Sequence, residues 1–276
     1  MLKKIAPVLV APVLAASVLL VPAAAHAGTS PTVMAALGDS ISAGFNACGW
    51  YVACRSRSWS SGDNPKVDSH YLRLLASEHA IKGHNLNFAV PGSTSAALAG
   101  QARQAVRDKA DYVTVLIGAQ DACVGSEKEM TPVPVFRQHI EEAFAMLRPT
   151  GARVFVASIP DIEHLWRIGR GNGWARAFWA VGHICQAMLA NPRSTAKKDV
   201  ARRDRVRERV MDYNEQLREA CALYGPACRY DGGAVFSYPF TLKEVSGWDY
   251  FHPNADGQRA LAKVTYDAGF FRDTDA

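Results

Sequence analysis

The sequence predicts an α/β fold, a parallel sheet buried on both faces by helices. Two observations lead there. Strand-like runs that are almost continuously apolar alternate along the chain with segments whose apolar residues recur every three or four positions. No internal repeat or domain-splitting linker interrupts that alternation, so one domain is expected over residues 28–276.

Residues 1–27 read as a leader. Lys3 and Lys4 precede an apolar run from Ile5 to Ala25, and Ala25-His26-Ala27 supplies a small-residue cleavage site, the pattern of a secretory signal peptide. An uncleaved anchor is the rival reading, because a run of about 20 residues is long enough to span a bilayer. Pro7, Pro12 and Pro22 and the site after Ala27 favour removal. Taking 27 from 276 residues leaves 249, enough for one sizeable core, and the formal charge falls from +5 to +3 with the two lysines. Such a mild excess gives no reason to expect nucleic acid.

The elements follow in order. Val33–Leu37 is a first strand and ends in "LGDSISAG". "YLRLLASEHA" from Tyr71 spaces its apolar residues as a helix does. A second strand over Asn85–Val90 ends in "NFAVPGST", and the alanine-rich "TSAALAGQARQAVRDKA" is helical. Tyr112–Ile117 is a third strand and ends in "GAQD". Phe136, Ile140, Phe144 and Leu147 mark one helix face before a fourth strand at Arg153–Ile159. A long helical pattern runs from Asp199 to about Leu223. A weak strand near Cys228–Tyr230 and a helix after Pro253 close the chain. Two segments read as irregular, Phe45–Val67 and the tryptophan-bearing Asp161–Pro192. Both follow strands, which places them at the carboxyl edge, where sheets of this class bind ligands.

Six cysteines all follow the leader, an even number that suggests disulfides with 15 connectivities open. Proximity along the chain pairs Cys48 with Cys54 and Cys221 with Cys228, which leaves Cys123 with Cys185. No C-x-x-C occurs, so zinc or thioredoxin-like chemistry is not expected.

Four carboxyl-edge loops carry polar groups that together suit nucleophilic catalysis. Ser40 lies at a strand-to-helix turn, as a nucleophile or as a helix cap. Gly92 either lets a backbone N–H approach a ligand or makes a turn after proline. Gln120 offers an amide donor to a developing oxyanion, or is a polar turn residue. Asp249 and His252 are spaced so that the carboxylate can hold the imidazole in the tautomer that takes a proton from serine. The G-x-S-x-G elbow, H-E-x-x-H and P-loop are all absent.

On these residues the chain resembles the SGNH, or GDSL-type, hydrolases, in particular exported actinobacterial esterases and lipases. "GDSISAG" matches the first block of that family, Gly92 in "NFAVPG" the second, "GAQD" the third and "DYFH" the last, in order over essentially the whole mature chain. The resemblance implies a three-layer α/β/α sandwich with a five-stranded, flavodoxin-like parallel sheet. It implies Ser40 as nucleophile, His252 as general base and Asp249 as its orienting partner. The oxyanion would be held by the N–H groups of Ser40 and Gly92 and the side chain of Gln120. It also implies three disulfides in neighbouring order, and neither metal nor organic cofactor. The expected protein is a secreted, monomeric serine esterase acting on a small-molecule or lipid ester, without nucleic acid and with passing contact to lipid surfaces. The alternatives are an O-acetyl esterase on a polysaccharide and a weakly active or inactive scaffold used for binding.

Gln120 motivates the last alternative, since the family usually has asparagine there. The donor is kept, but one methylene carries it about 1.5 Å further out. A slower enzyme or a shifted oxyanion is the expectation. Cys123 would tie the Gln120 loop to the Asp161–Pro192 insertion, whose Trp166, Trp174 and Trp179 either line an acyl pocket or pack the insertion down. Arg202, Arg203, Arg205, Arg207 and Arg209 read as a solvated helix face with partners such as Glu208, with anionic headgroups as a second use.

Overall fold

The structure is a computed structural model that describes residues 1–2, 30–77 and 79–271. All but the first two residues of the expected leader lie outside that range. The chain divides after Ser30, and the unit that begins at Pro31 carries every element below. Among the described residues no helix is long and apolar enough to cross a membrane.

Five parallel strands form one sheet: β1 Met34–Gly38, β2 Asn85–Asn87, β3 Tyr112–Leu116, β4 Arg153–Val156 and β5 Cys228–Tyr230, in the order β2-β1-β3-β4-β5. Every residue of β1 and β3 is buried, as central strands covered on both faces require. Among the described residues ten α-helices accompany them: α1 His70–Ser77, α2 Leu98–Arg107, α3 Ala119–Ala122, α4 Val133–Leu147, α5 Ile162–Gly169, α6 Gly173–Val181, α7 Gln186–Leu189, α8 Lys197–Tyr224, α9 Ala234–Ser237 and α10 Ala255–Ala268. Register sorts the two faces. Tyr112 and Thr114 on β3 and Phe155 on β4 share one face, because Thr114 pairs with Phe155. There His70 of α1 bonds Tyr112 and Thr265 of α10, both at 2.8 Å, and Trp59 packs on Phe155. Val113, Val115, Val154 and Val156 point the other way, where α4 packs on both α2 and α8.

Strand order reverses between β1 and β3. Chains leaving neighbouring strands there go to opposite faces, and a crevice opens at their carboxyl ends. The loops bearing Ser40 and Gln120 flank it.

Three local expectations are corrected. β2 ends at Asn87 rather than Val90, although Phe88 and Val90 still donate to the carbonyls of Ala36 and Gly38. Ser40 opens a series of turns, not a helix, because Gly44 and Asn46 both take left-handed φ, at +64° and +65°. The Asp161–Pro192 insertion is mostly helical, built from α5, α6 and α7. Asp161 caps α5 by accepting from Glu163 and His164 N–H, and Asn172 caps α6 by accepting from Ala175 N–H. Its Gly169 is a packing residue. A Cβ there would lie 2.5 Å from the Trp179 ring, so the glycine lets α5 and α6 close on each other.

Candidate active site

The turn after β1 is held from both sides by buried amides. Gly38 donates to Gln101 Oε1 at 2.7 Å and its carbonyl accepts from Gln101 Nε2 at 2.9 Å. On the far side Gln258 Nε2 donates to the Ile41 carbonyl at 2.9 Å, while its oxygen accepts from Trp59 N–H at 2.9 Å. Gly38 is required by the crowding. Its φ is +142°, and a Cβ would sit 2.1 Å from the Leu116 carbonyl of β3. Ser40 is therefore presented by a short segment pinned at Gly38 on one side and at Ile41 on the other. Neither glutamine was marked by the sequence, because each acts on a segment 63 or 217 residues away.

The turn before α10 supplies the second half. Asp249 Oδ1 accepts from the N–H groups of Phe251 at 2.9 Å and His252 at 3.1 Å. Its Oδ2 faces His252 Nδ1 at 2.6 Å and accepts from Asn46 Nδ2 at 2.6 Å. His252 Nε2 meets Ser40 Oγ at 2.8 Å. Asp249 is buried, whereas His252 and Ser40 are partly open to a cleft. A carboxylate that fixes one imidazole nitrogen while the other meets a hydroxyl is an arrangement suited to taking the serine proton.

Gly92 and Gln120 lie on the wall of the same cleft as Ser40 and His252. Gly92 takes φ +82°, and a Cβ there would meet nothing within 4 Å. The Gln120 amide is half-buried and donates to the Cys123 carbonyl at 3.3 Å, a long bond for an N–H donor. Cys123 and Cys185 are joined and both line this cleft, whose volume is about 360 Å³. Cys48 is joined to Cys54, and Cys221 to Cys228.

Beyond the Phe251–His252 wall lies a second, narrower cleft of about 60 Å³, almost wholly apolar. Ile41, Ile162, Leu165, Phe240 and Phe251 contribute to it. The insertion thus reaches the site through Ile162, Leu165, His183 and Ile184, not through its tryptophans. Trp166 is buried, donates to the Pro192 carbonyl at 2.9 Å and lies beneath Arg170 and Arg203. Trp179 is buried and donates to the Tyr250 carbonyl at 3.0 Å, while Trp174 is exposed. Packing is the role of the first two.

Beside Ser40, Asp39 is fully enclosed. Its Oδ1 accepts from Ile41 N–H at 2.9 Å, and its Oδ2 has no partner among the described residues. Burial pushes this carboxyl up to about 7, with the Ile41 N–H and the neighbouring His252 pulling the other way.

The arginines of α8 are for the most part not a solvated face, which corrects the sequence reading; of the five, Arg205 alone stays exposed. Arg202 donates to the carbonyls of Gln186, Ala187 and Ala190, Arg203 to Ser194 and Arg209 to Thr131. Arg205 pairs with Glu127 at 2.8 Å and Arg207 with Asp161 at 3.0 Å. The helix runs under the insertion and the loop before α4, so its guanidinium groups satisfy carbonyls and carboxylates there.

The model of the GDSL-like Lipase/Acylhydrolase family matches residues 36–260. No curated protein matches the sequence. Among solved structures, the chain is similar to an alpha/beta hydrolase enzyme from the metagenome of Lake Arreo, Spain. That match has 19% identity and a TM-score of 0.54, covering 85% of this chain and 93% of that one. It is also similar to Axe2, an acetylxylan esterase from Geobacillus stearothermophilus, at 15% identity and a TM-score of 0.50, covering 86% and 94%. At such identities the likeness concerns the fold.

Proposed function

The chain belongs to the GDSL-like lipase/acylhydrolase family and is a carboxylic ester hydrolase; from that premise we propose that Ser40, His252 and Asp249 are its catalytic triad. The observation that carries this reading is the unbroken hydrogen-bonded line from Asp249 through His252 to Ser40, at 2.6 and 2.8 Å. His252 takes the hydroxyl proton as Ser40 Oγ attacks the ester carbonyl. The tetrahedral oxyanion is held by the N–H groups of Ser40 and Gly92 and by the Gln120 amide, which must leave the Cys123 carbonyl to reach it. His252 then returns the proton to the leaving alcohol, the C–O bond breaks, and water attacks the acyl-enzyme with His252 again as base. The Asp249 carboxylate keeps the Nδ1 proton of His252 in place.

The substrate reading is an ester with an apolar acyl part. The apolar cleft on the far side of His252 supports it, because such pockets bind by burying hydrocarbon. The three disulfides suggest an extracellular or secreted protein. Export through the 1–27 leader, with cleavage after Ala27, accounts for that.

A fluorophosphonate should label wild-type enzyme on Ser40 and leave Ser40→Ala unlabelled, with kcat lowered by about 10³-fold or more in that variant. An unlabelled wild type, or a Ser40→Ala protein of normal activity, removes the reading. Along a nitrophenyl ester series, kcat/KM should rise by up to about fourfold per methylene until the cleft is full. A series that is highest at acetate, with acetylated xylan as a better substrate, would replace the apolar acyl group with a polysaccharide acetyl ester.

A further inference from the structure

We propose that Asn46 is a positioning residue of this site, holding the Asp249 carboxylate in the rotation that serves His252. The proposal rests on the roles given above to Ser40, His252 and Asp249. Asn46 Nδ2 donates to Asp249 Oδ2 at 2.6 Å, with both side chains buried. The oxygen it grips is the one that faces His252 Nδ1. The other carboxylate oxygen is held by two backbone N–H groups of its own turn. Asn46 is thus the one contact on Oδ2, among the described residues, that comes from outside the Asp249–His252 turn.

Asn46 also breaks two local rules. Its backbone is left-handed, at φ +65°. Its Oδ1 is buried with no partner among the described residues, an unfavourable arrangement. A residue needed only for the turn would do better as glycine, which adopts this conformation freely and buries no side-chain oxygen. What glycine lacks is the N–H donor that the carboxylate receives. Local rules broken in this way are expected where a residue serves function.

The platform beneath it is braced. Asn46 N–H donates to the Val52 carbonyl at 3.0 Å, the Gly49 N–H donates back to Asn46, and the Cys48–Cys54 bond closes the same loop. The neighbouring Phe45 ring packs edge-on against the His252 ring, with centroids 4.9 Å apart. One loop therefore sets both the carboxylate and the imidazole.

The decisive variants are Asn46→Gly, which adopts the left-handed backbone freely, and Asn46→Ala, which adds only a methyl group; neither supplies a side-chain donor. They are compared with wild type on a short nitrophenyl ester, with thermal melts and fluorophosphonate labelling alongside. In both, kcat is expected to fall by about ten- to hundredfold, the span of a hydrogen bond to a charged group, while KM changes little. With its charge less shared, Asp249 holds the protonated imidazole more strongly, so the acidic limb of kcat/KM should move to higher pH. Asn46→Ala keeps a Cβ and removes the donor, so it reads the hydrogen bond even if the glycine variant fails to fold. A folded variant with wild-type kcat and an unmoved acidic limb overturns the proposal. So does a lower kcat with the limb in place, which would make Asn46 only a prop for its loop. A wild type that fluorophosphonate leaves unlabelled would instead remove the underlying assignment of Ser40.

Discussion

Gln120 lies on the cleft wall with its amide on the Cys123 carbonyl, so its donor is present but turned aside. Moving it to an oxyanion means breaking that bond and ordering one more torsion than asparagine has. Complete loss of one oxyanion donor costs roughly 10²–10³ in rate. Gln120→Asn should therefore raise kcat, by a few-fold up to about 10²-fold, and a kcat that stays level or falls would show that glutamine already donates well. Gln101 makes a separate prediction at the same scale. It satisfies both backbone groups of Gly38 from a buried position. Gln101→Met keeps the approximate volume but strands the Gly38 N–H and leaves its carbonyl only the Val90 N–H, and should destabilise by about 1–3 kcal/mol in denaturant titration. Its effect on activity should follow, because Gly38 leads directly into Ser40.

At the scale of elements, the site is a meeting of loops held by cross-links that the strands do not provide. The Cys123–Cys185 bond joins the end of α3 to the start of α7 across 62 residues of sequence. Trp179 on α6 holds the turn before His252 through the Tyr250 carbonyl, and Tyr250 itself has left-handed φ. The insertion thus braces two sides of the cleft. Replacing both Cys123 and Cys185 by serine should lower stability by about 2–4 kcal/mol, as removal of a bridge over a loop of that length does. It should also lower kcat more than it raises KM, since in the oxyanion role proposed for Gln120 rigidity serves the transition state. Equal kcat in the double variant would assign the bond to stability alone. The tryptophans and glycines of the insertion suggested an irregular loop because short helices show little periodicity. The capping Asp161 and Asn172 were the available signals, and Gly169 was misleading because close helix packing also demands glycine.

At the scale of the whole molecule, two buried groups give opposite dependences of stability on pH. His70 lies in the core between Tyr112 and Thr265, and burial lowers its pKa from 6.5 to about 3. The unfolded imidazole takes a proton below its ordinary value and the folded one does not, so its contribution falls on acidification from about pH 6.5 towards 3. Asp39 is raised from 3.8 to about 7, so the folded carboxyl keeps a proton that the unfolded one has released. Its contribution is greatest below about pH 4 and is lost as pH rises through about 7. Each slope is up to about 1.4 kcal/mol per pH unit, and between about pH 4 and 6.5 they oppose one another. Asp39→Asn should therefore expose a rise in stability with pH over that range, and His70→Gln a fall, both read from urea midpoints. Parallel curves for all three proteins would show that neither group titrates as burial dictates. The sequence by itself determined the alternation of strands and helices, the parallel sheet, and the four blocks around Ser40, Gly92, Gln120 and Asp249–His252. Those signals are local, because periodicity and turn chemistry lie within a few consecutive residues. Only the tertiary structure decided which distant amides hold the site, with Gln101 and Gln258 on the Ser40 turn and Asn46 on Asp249. It alone showed Gln120 turned to Cys123 and the arginines of α8 engaged beneath the insertion. Each of these depends on which groups meet across long stretches of chain, and burial makes such meetings decisive because a polar group removed from water must find a partner.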